Sequence, residues 1–195
     1  TEANNNGIPW CHVSDGQSVL WGNCVSTCTL CLSGNDEYQP STGESSCLTC
    51  AATDPLSSPT GDAATTCQCD AGATGSFGSC AACNPGYYKA SPGPADCTAC
   101  PTLSTSVAGK TSLSDCYCIA TYAGDVTNGC TACTGTQYSD VSGLTSCKTC
   151  NDNSVSDFPN IGCLCNAGFT RSSDGESAYQ PVCSGCDLGQ YKDLV

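Results

Sequence analysis

Large apolar side chains are scarce in this chain of 195 residues, which has three Phe, two Trp and no Met. The hydrophobic fraction of 39% counts Cys and Ala, so one oily core of the size expected at this length lacks material. Basic residues are few as well: Lys89, Lys110, Lys148, Arg171 and Lys192 stand against 18 acidic residues, giving a net charge of −13. That balance removes the positive footprint that nucleic acid or an anionic membrane surface requires. No apolar run approaches the ~20 residues that span a bilayer, so no membrane insertion is expected within the chain. The opening Thr1-Glu-Ala-Asn-Asn-Asn has neither an initiator Met nor the apolar stretch of a secretion signal and reads as a processed start.

Catalytic raw material is equally thin. The one His, His12, follows Cys11 with no recognisable base or nucleophile beside it, and reads as a surface residue. Asp36-Glu37 and Asp174-Gly-Glu176 are acidic pairs in loop-like sequence with no pocket implied around them. Neither an enzyme nor a cofactor is expected. An Asn-x-Ser/Thr acceptor is also absent; Asn128-Gly-Cys130 is its rare variant, with a Cys expected to be bridged. Ser and Thr together number 47, so exposed loops offer sites for O-linked sugars.

What the chain does have is 22 Cys, about one residue in nine. An even count at that density implies disulfides and an oxidising secretory route, hence a secreted or cell-surface location. The cysteines recur in a fixed order: Cys28/Cys31, Cys47/Cys50, Cys67/Cys69; Cys80/Cys83, Cys97/Cys100, Cys116/Cys118; Cys130/Cys133, Cys147/Cys150, Cys163/Cys165; and Cys183/Cys186. CxxC, CxxC, CxC thus appears three times. The expected organisation is an N-terminal segment 1–30, modules 31–82, 83–132 and 133–185, and the start of a truncated fourth module at 186–195. Cys186-Asp-Leu-Gly-Gln-Tyr-Lys repeats Cys83-Asn-Pro-Gly-Tyr-Tyr-Lys, so the chain is expected to continue past Val195, where any anchor would lie.

Other residues hold the same spacing. Gly43, Gly93 and Gly143 lie four before the second Cys of their modules, where a turn needing positive φ is expected. Tyr38, Tyr88, Tyr138 and Tyr191 follow the first Cys of each unit by five or seven positions and are expected to cover a disulfide as the nearest thing to a core. Short two-stranded hairpins and no helix of any length are anticipated, with Ser104-Thr-Ser and Ser57-Ser-Pro-Thr60 read as loops.

The segments Cys69-Asp-Ala-Gly and Cys165-Asn-Ala-Gly-Phe resemble the second half of an EGF domain. The stretch from Cys83-Asn-Pro-Gly-Tyr-Tyr-Lys through Cys97-Thr-Ala-Cys100-Pro to Cys116-Tyr-Cys118 resembles the cysteine-rich, EGF-like segment of ephrin receptors, and similar runs occur in ciliate and other protist surface-coat proteins. No ligand-binding jelly roll precedes the modules, unlike in the receptors. The fold implied is a small disulfide-rich one: tandem EGF-like modules forming an elongated rod with almost no helix. The resemblance implies first-to-third, second-to-fourth and fifth-to-sixth bridges: Cys31–Cys50, Cys47–Cys67, Cys69–Cys80; Cys83–Cys100, Cys97–Cys116, Cys118–Cys130; Cys133–Cys150, Cys147–Cys163, Cys165–Cys183. Joining neighbours around each loop (31–47, 50–67, 69–80 and so on) uses the same cysteines and stays open. Outside the modules, Cys11 is expected to pair with Cys24, leaving Cys28 and Cys186 as odd ends.

Metal chemistry is the rival reading of these cysteines. CxxC-x15-CxxC at Cys28/Cys31 and Cys47/Cys50 fits a zinc ribbon, but the alternating CxC pairs do not suit a regular four-cysteine site. A thioredoxin-like CxxC would need a helix N-terminus after a strand. The calcium-binding EGF subset carries acidic residues before its first Cys, where this chain has Thr29-Leu30, Ala81-Ala82 and Thr131-Ala132, so no metal site is expected. The functional expectation is a structural subunit of an extracellular assembly, a surface coat or a filament such as a flagellar hair, self-associating head to tail or binding other extracellular proteins. The alternative is the stalk or ligand-binding ectodomain of a cell-surface receptor or adhesin.

Overall fold

The computed structural model describes residues 31–41, 46–172 and 179–192, together with the backbone of two strands, Trp10–Ser14 and Val19–Asn23, that pair antiparallel. The expected Cys11–Cys24 bridge, Cys28, the side chain of His12, Gly43 and Asp174-Gly-Glu176 lie outside the residues so described. Two compact units make up the chain, Thr1–Cys83 with Lys89–Cys97, and Asn84–Tyr88 with Thr98–Val195.

Three kinds of hairpin recur in the order of the cysteines. In the first, Glu37–Tyr38 pairs with Leu48–Thr49, Tyr87–Tyr88 with Thr98–Ala99, and Gln137–Tyr138 with Lys148–Thr149. In the second, Ser57–Pro59 pairs with Cys67–Cys69, Ser104–Thr105 with Tyr117–Cys118, and Ser154–Ser156 with Cys163–Cys165. In the third, Ala73–Thr74 pairs with Ala81–Ala82, Tyr122–Asp125 with Gly129–Ala132, and Phe169–Arg171 with Cys183–Gly185. Every sheet has two strands. Such small hairpins are marginal alone, so covalent closure is required.

Among the described residues nine disulfides supply it. They join Cys31–Cys47, Cys50–Cys67 and Cys69–Cys80; Cys83–Cys97, Cys100–Cys116 and Cys118–Cys130; Cys133–Cys147, Cys150–Cys163 and Cys165–Cys183. This corrects the EGF-type pairing: Cys31–Cys50, Cys47–Cys67, Cys83–Cys100, Cys97–Cys116, Cys133–Cys150 and Cys147–Cys163 do not form, and only the last bridge of each module is common to both patterns. The reason lies in the hairpins. Each folds back immediately on itself, bringing consecutive cysteines to Cα separations of 5.5–5.9 Å, inside the window for a bridge. The two cysteines of a CxxC stand three positions apart along a strand and therefore face opposite sides of it, one toward the loop before and one toward the loop after.

Sulfur is also the interior. Of the 17 buried apolar residues among those described, 11 are cysteines, and the rest are Tyr38, Tyr138, Val126 and three alanines. Tyr38 packs with Cys50, Ala64 and Cys67 and meets Phe77 edge to face at 5.5 Å between ring centroids. Tyr88 packs on the cluster of Cys116, Cys118 and Val126, and Tyr138 clusters with Cys150 and Cys163. In each module the tyrosine thus covers the second disulfide. Bridges closing loops of this size stabilise by about 3 kcal/mol each, mainly through the unfolded chain.

Two loop expectations need correction. Ser57–Pro59 and Ser104–Thr105 are strands. Their serines do not behave as loop residues, because each hydroxyl donates to the carbonyl three residues back: Ser57 to Asp54 at 2.7 Å, Ser104 to Pro101 at 2.6 Å and, in the third module, Ser154 to Asn151 at 2.6 Å. The turn so closed sets the serine opposite the last Cys of the CxC, as in Ser57↔Cys69, Ser104↔Cys118 and Ser154↔Cys165. The first module has three more residues between Cys50 and this serine than the others, and they form a single helical turn, Cys50–Thr53.

Candidate functional site

The residues that join one module to the next form the most regular constellation in the described chain. At the first joint the Gly72 N–H donates to the Lys89 carbonyl at 2.9 Å, the Cys83 N–H donates to the Gly72 carbonyl at 2.8 Å, and the Gly93 N–H donates to the Cys69 carbonyl at 2.7 Å. At the second, Thr121 donates to Ser139 at 3.0 Å, Cys133 to Thr121 at 3.0 Å, and Gly143 to Cys118 at 2.8 Å, all through backbone groups. At the third, Gly168 donates to Lys192 at 3.4 Å and Cys186 to Gly168 at 2.9 Å. The open end of each third hairpin therefore clasps the opening of the following module at two points.

The pivotal residue has positive φ in all three joints: 79° at Gly72, 74° at Thr121 and 80° at Gly168. Glycine takes that conformation freely, whereas a β-branched threonine is strained in it. Gly93 and Gly143 also have positive φ, 124° and 88°, which is what their spacing implied.

A side chain completes the clasp. Lys89 is buried at 4% exposure, and its ammonium donates to the Ala73 carbonyl at 2.6 Å and to the Gly93 carbonyl. A buried charge is costly unless hydrogen-bonded, and here two carbonyls bind it. At the equivalent place in the second joint the Ser139 hydroxyl lies 3.1 Å from the carbonyls of both Tyr122 and Val141. At the third, the Lys192 ammonium donates to the Cys165 carbonyl at 3.0 Å. The lysines thus tie the fold to itself: Lys148 pairs with Asp140 at 2.7 Å and lies over the Tyr138 ring, and Lys110 pairs with Asp115 at 3.3 Å. Its hydrogen bond to Asp140 holds the Lys148 ammonium above its ordinary pKa, while burial raises the Tyr138 phenol.

The two-residue linkers between modules are strand residues rather than free tethers. Ala81–Ala82 and Thr131-Ala132 form the return strands of third hairpins. Acidic residues singled out by sequence serve local backbone: Asp36 accepts from the Ala51 N–H at 2.8 Å and Glu37 from the Leu32 N–H at 3.2 Å. Sequence reasoning missed Asp54. This carboxylate is buried, 4% exposed, and accepts from the Cys80 N–H at 2.7 Å, tying the second loop to the third. Asn151, at the same place in the third module, does this with its amide, donating to the Pro181 carbonyl at 3.4 Å and accepting from Gln180 at 2.9 Å. The available signal was a carboxylate or amide three residues before the aligned serine.

Eighteen of the cysteines singled out in the sequence fall in the nine bridges. Cys31, Cys47 and Cys50, three sulfurs of the zinc-ribbon spacing, are thereby joined to carbon-borne sulfur, and the two cysteines of each CxxC belong to separate bridges. Cys186 is a free, half-buried thiol.

This architecture defines a small disulfide-rich protein of tandem EGF-like, cysteine-rich modules. Residues 72–116 match the family described as tyrosine-protein kinase ephrin type A/B receptor-like, and the match runs from the first pivot, Gly72, through the bridges Cys83–Cys97 and Cys100–Cys116. No curated protein matches the chain. The bridge density and the receptor-like module point to an extracellular or secreted setting. Among the described residues no helix is long and apolar enough to cross a membrane.

Proposed function

We propose that this protein is a structural subunit of an extracellular assembly, a stapled spacer that builds a surface coat or filament by associating with copies of itself or with other extracellular proteins. The observation that carries this reading is the joint. The same pair of backbone hydrogen bonds links the open end of a hairpin to the next module at Gly72, Thr121 and Gly168, so modules add in series by one repeated rule. Cross-linked sulfur in place of an oily interior suits a protein exposed to an oxidising medium. Exposed hydroxyls such as Thr145 and Ser146 are the sites we assign to O-linked sugars.

A second reading, the stalk or ligand-binding ectodomain of a receptor or adhesin, is favoured by the match over residues 72–116. Electron microscopy of material from the native source separates the two. Filaments or a lattice are expected for the structural subunit. Single particles tethered to membrane would overturn it in favour of the receptor reading.

A further inference from the structure

We propose that Phe158 of one chain packs over Tyr88 of a second copy, doing there what a side chain of the third hairpin does in the other modules. The three modules treat their tyrosine differently. In the first, Phe77 in the turn of the third hairpin meets the Tyr38 ring edge to face, and Tyr38 is 6% exposed. In the third, the Tyr138 hydroxyl donates to Gln180 of that hairpin at 3.2 Å, and Tyr138 is 2% exposed. In the second, the same turn contributes Val126, which packs on Cys116 and Cys118 and leaves Tyr88, Cys100 and Leu113 half-buried. The second bridge is accordingly buried at both cysteines in the first and third modules, Cys50–Cys67 and Cys150–Cys163, but only at Cys116 in Cys100–Cys116.

The same chain carries the ring that fits. Phe158 is 97% exposed on a loop whose backbone is fixed. The Asp157 N–H donates to the Gly162 carbonyl at 3.0 Å, the Asn160 N–H donates to the Asp157 carbonyl at 2.7 Å, and the Asp157 carboxylate accepts from the N–H groups of Ile161 and Gly162 at 3.0 and 2.9 Å. An aromatic ring presented this way binds with little ordering cost. Its place, four residues after the aligned serine, is open in the other modules too: Ala108 is exposed, and a Cβ on Gly61 would meet nothing within 4 Å. Charge selects a second copy as the occupant. Two chains of net charge −13 repel each other, so a contact between them must set opposite charges together. Tyr88 forms a β-bridge with Lys110, whose side chain is 39% exposed beside Asp115, and Phe158 directly follows Asp157, so the inserted ring brings a carboxylate toward that ammonium. The two faces are different surfaces of one chain, so the contact is heterologous and passes from copy to copy. This deepens the assembly reading and rests on it.

The test is sedimentation of the 195-residue chain at concentrations up to about 1 mM, the weak end expected for a contact anchored by one side chain. The chain is expected to associate, and Phe158→Ala, which removes an exposed ring and leaves the fold untouched, should weaken association about tenfold. Lys110→Glu, which sets a second negative charge against the incoming Asp157, should do the same. An equimolar mixture of the two variants should form a dimer, because one retains the intact Tyr88 face and the other the intact Phe158. In a separate readout that alters no residue of the receiving face, p-benzoyl-phenylalanine placed at position 158 should photo-crosslink to a second chain in the peptide holding Tyr88 or Leu113. A chain that stays monomeric throughout, association that survives Phe158→Ala, a mixture that does not dimerise, or adducts elsewhere would overturn the proposal. Filaments in the native material with no contact through Phe158 would sink this proposal alone. The contact seen in a protein found only as single membrane-tethered particles would sink the assembly reading alone.

Discussion

Lys89 and Ser139 occupy the same place in successive joints and share almost no chemistry, yet each donates to a carbonyl in the first strand of the clasped hairpin, Ala73 or Tyr122. The backbone pattern around them is the same, with the pivots Gly72 and Thr121 at nearly equal positive φ. The difference teaches that the joint is specified by backbone geometry and asks only for a donor of sufficient reach. A lysine must span further and bury a charge to do what a hydroxyl does at close range.

The comparison breaks most severely where covalent closure is lost. Replacing Cys118 and Cys130 together by Ala should destabilise the second joint by about 3 kcal/mol, measured by denaturant unfolding and by loss of amide protection at Thr121 and Cys133. Lys89→Ala comes next. It orphans the carbonyls of Ala73 and Gly93 and should cost roughly 2 kcal/mol, twice the effect of Ser139→Ala; equal losses would show that the charge adds nothing over the hydroxyl. Thr121→Gly should stabilise by about 1 kcal/mol by relieving the strained pivot, and Gly72→Thr should destabilise by a similar amount.

The smallest effects belong to acid. The Asp125 carboxyl is held below its ordinary value by hydrogen bonds from the backbone and hydroxyl of Thr127. For Asp115, burial pushes upward but is outweighed by the hydrogen bond from Lys110 and by the Ser112 N–H, and the net direction is also down. A folded-state pKa below the unfolded one means that the contribution is present above the unfolded value and is lost as pH falls through the folded one. Both turns lie in the second unit, so NMR titration should show amides of Thr127 and Ser112 losing their shifts at acid pH while Gly72 and Cys83 hold theirs.

Much of this was legible in the cysteine rhythm. The CxxC, CxxC, CxC order gave the recurring hairpins, and spacing alone marked Gly93, Gly143, Tyr38, Tyr88 and Tyr138. The pairing was not legible, because nearest-neighbour and EGF-type bridges use identical spacings. Only the hairpin register, Tyr38↔Leu48 and its equivalents, places Cys47 beside Cys31. Nor did composition reveal that Ser57 and Ser104 begin strands, since serine favours turns, and here the turn its hydroxyl closes is what aims the strand. Lys89 carries no sequence signature of burial. Alignment of the modules at Gln39, Lys89 and Ser139 would have shown a run of hydrogen-bond donors after the tyrosine.

Partial reduction and alkylation of the unreduced protein, followed by fragmentation that reads the two sulfurs of each CxxC separately, tests the fold most directly. Cys47 should be found joined to Cys31 and Cys50 to Cys67, with Cys97 joined to Cys83 and Cys147 to Cys133. Cys47 joined to Cys67, or these sulfurs recovered free, would contradict the hairpin closure on which every joint is built.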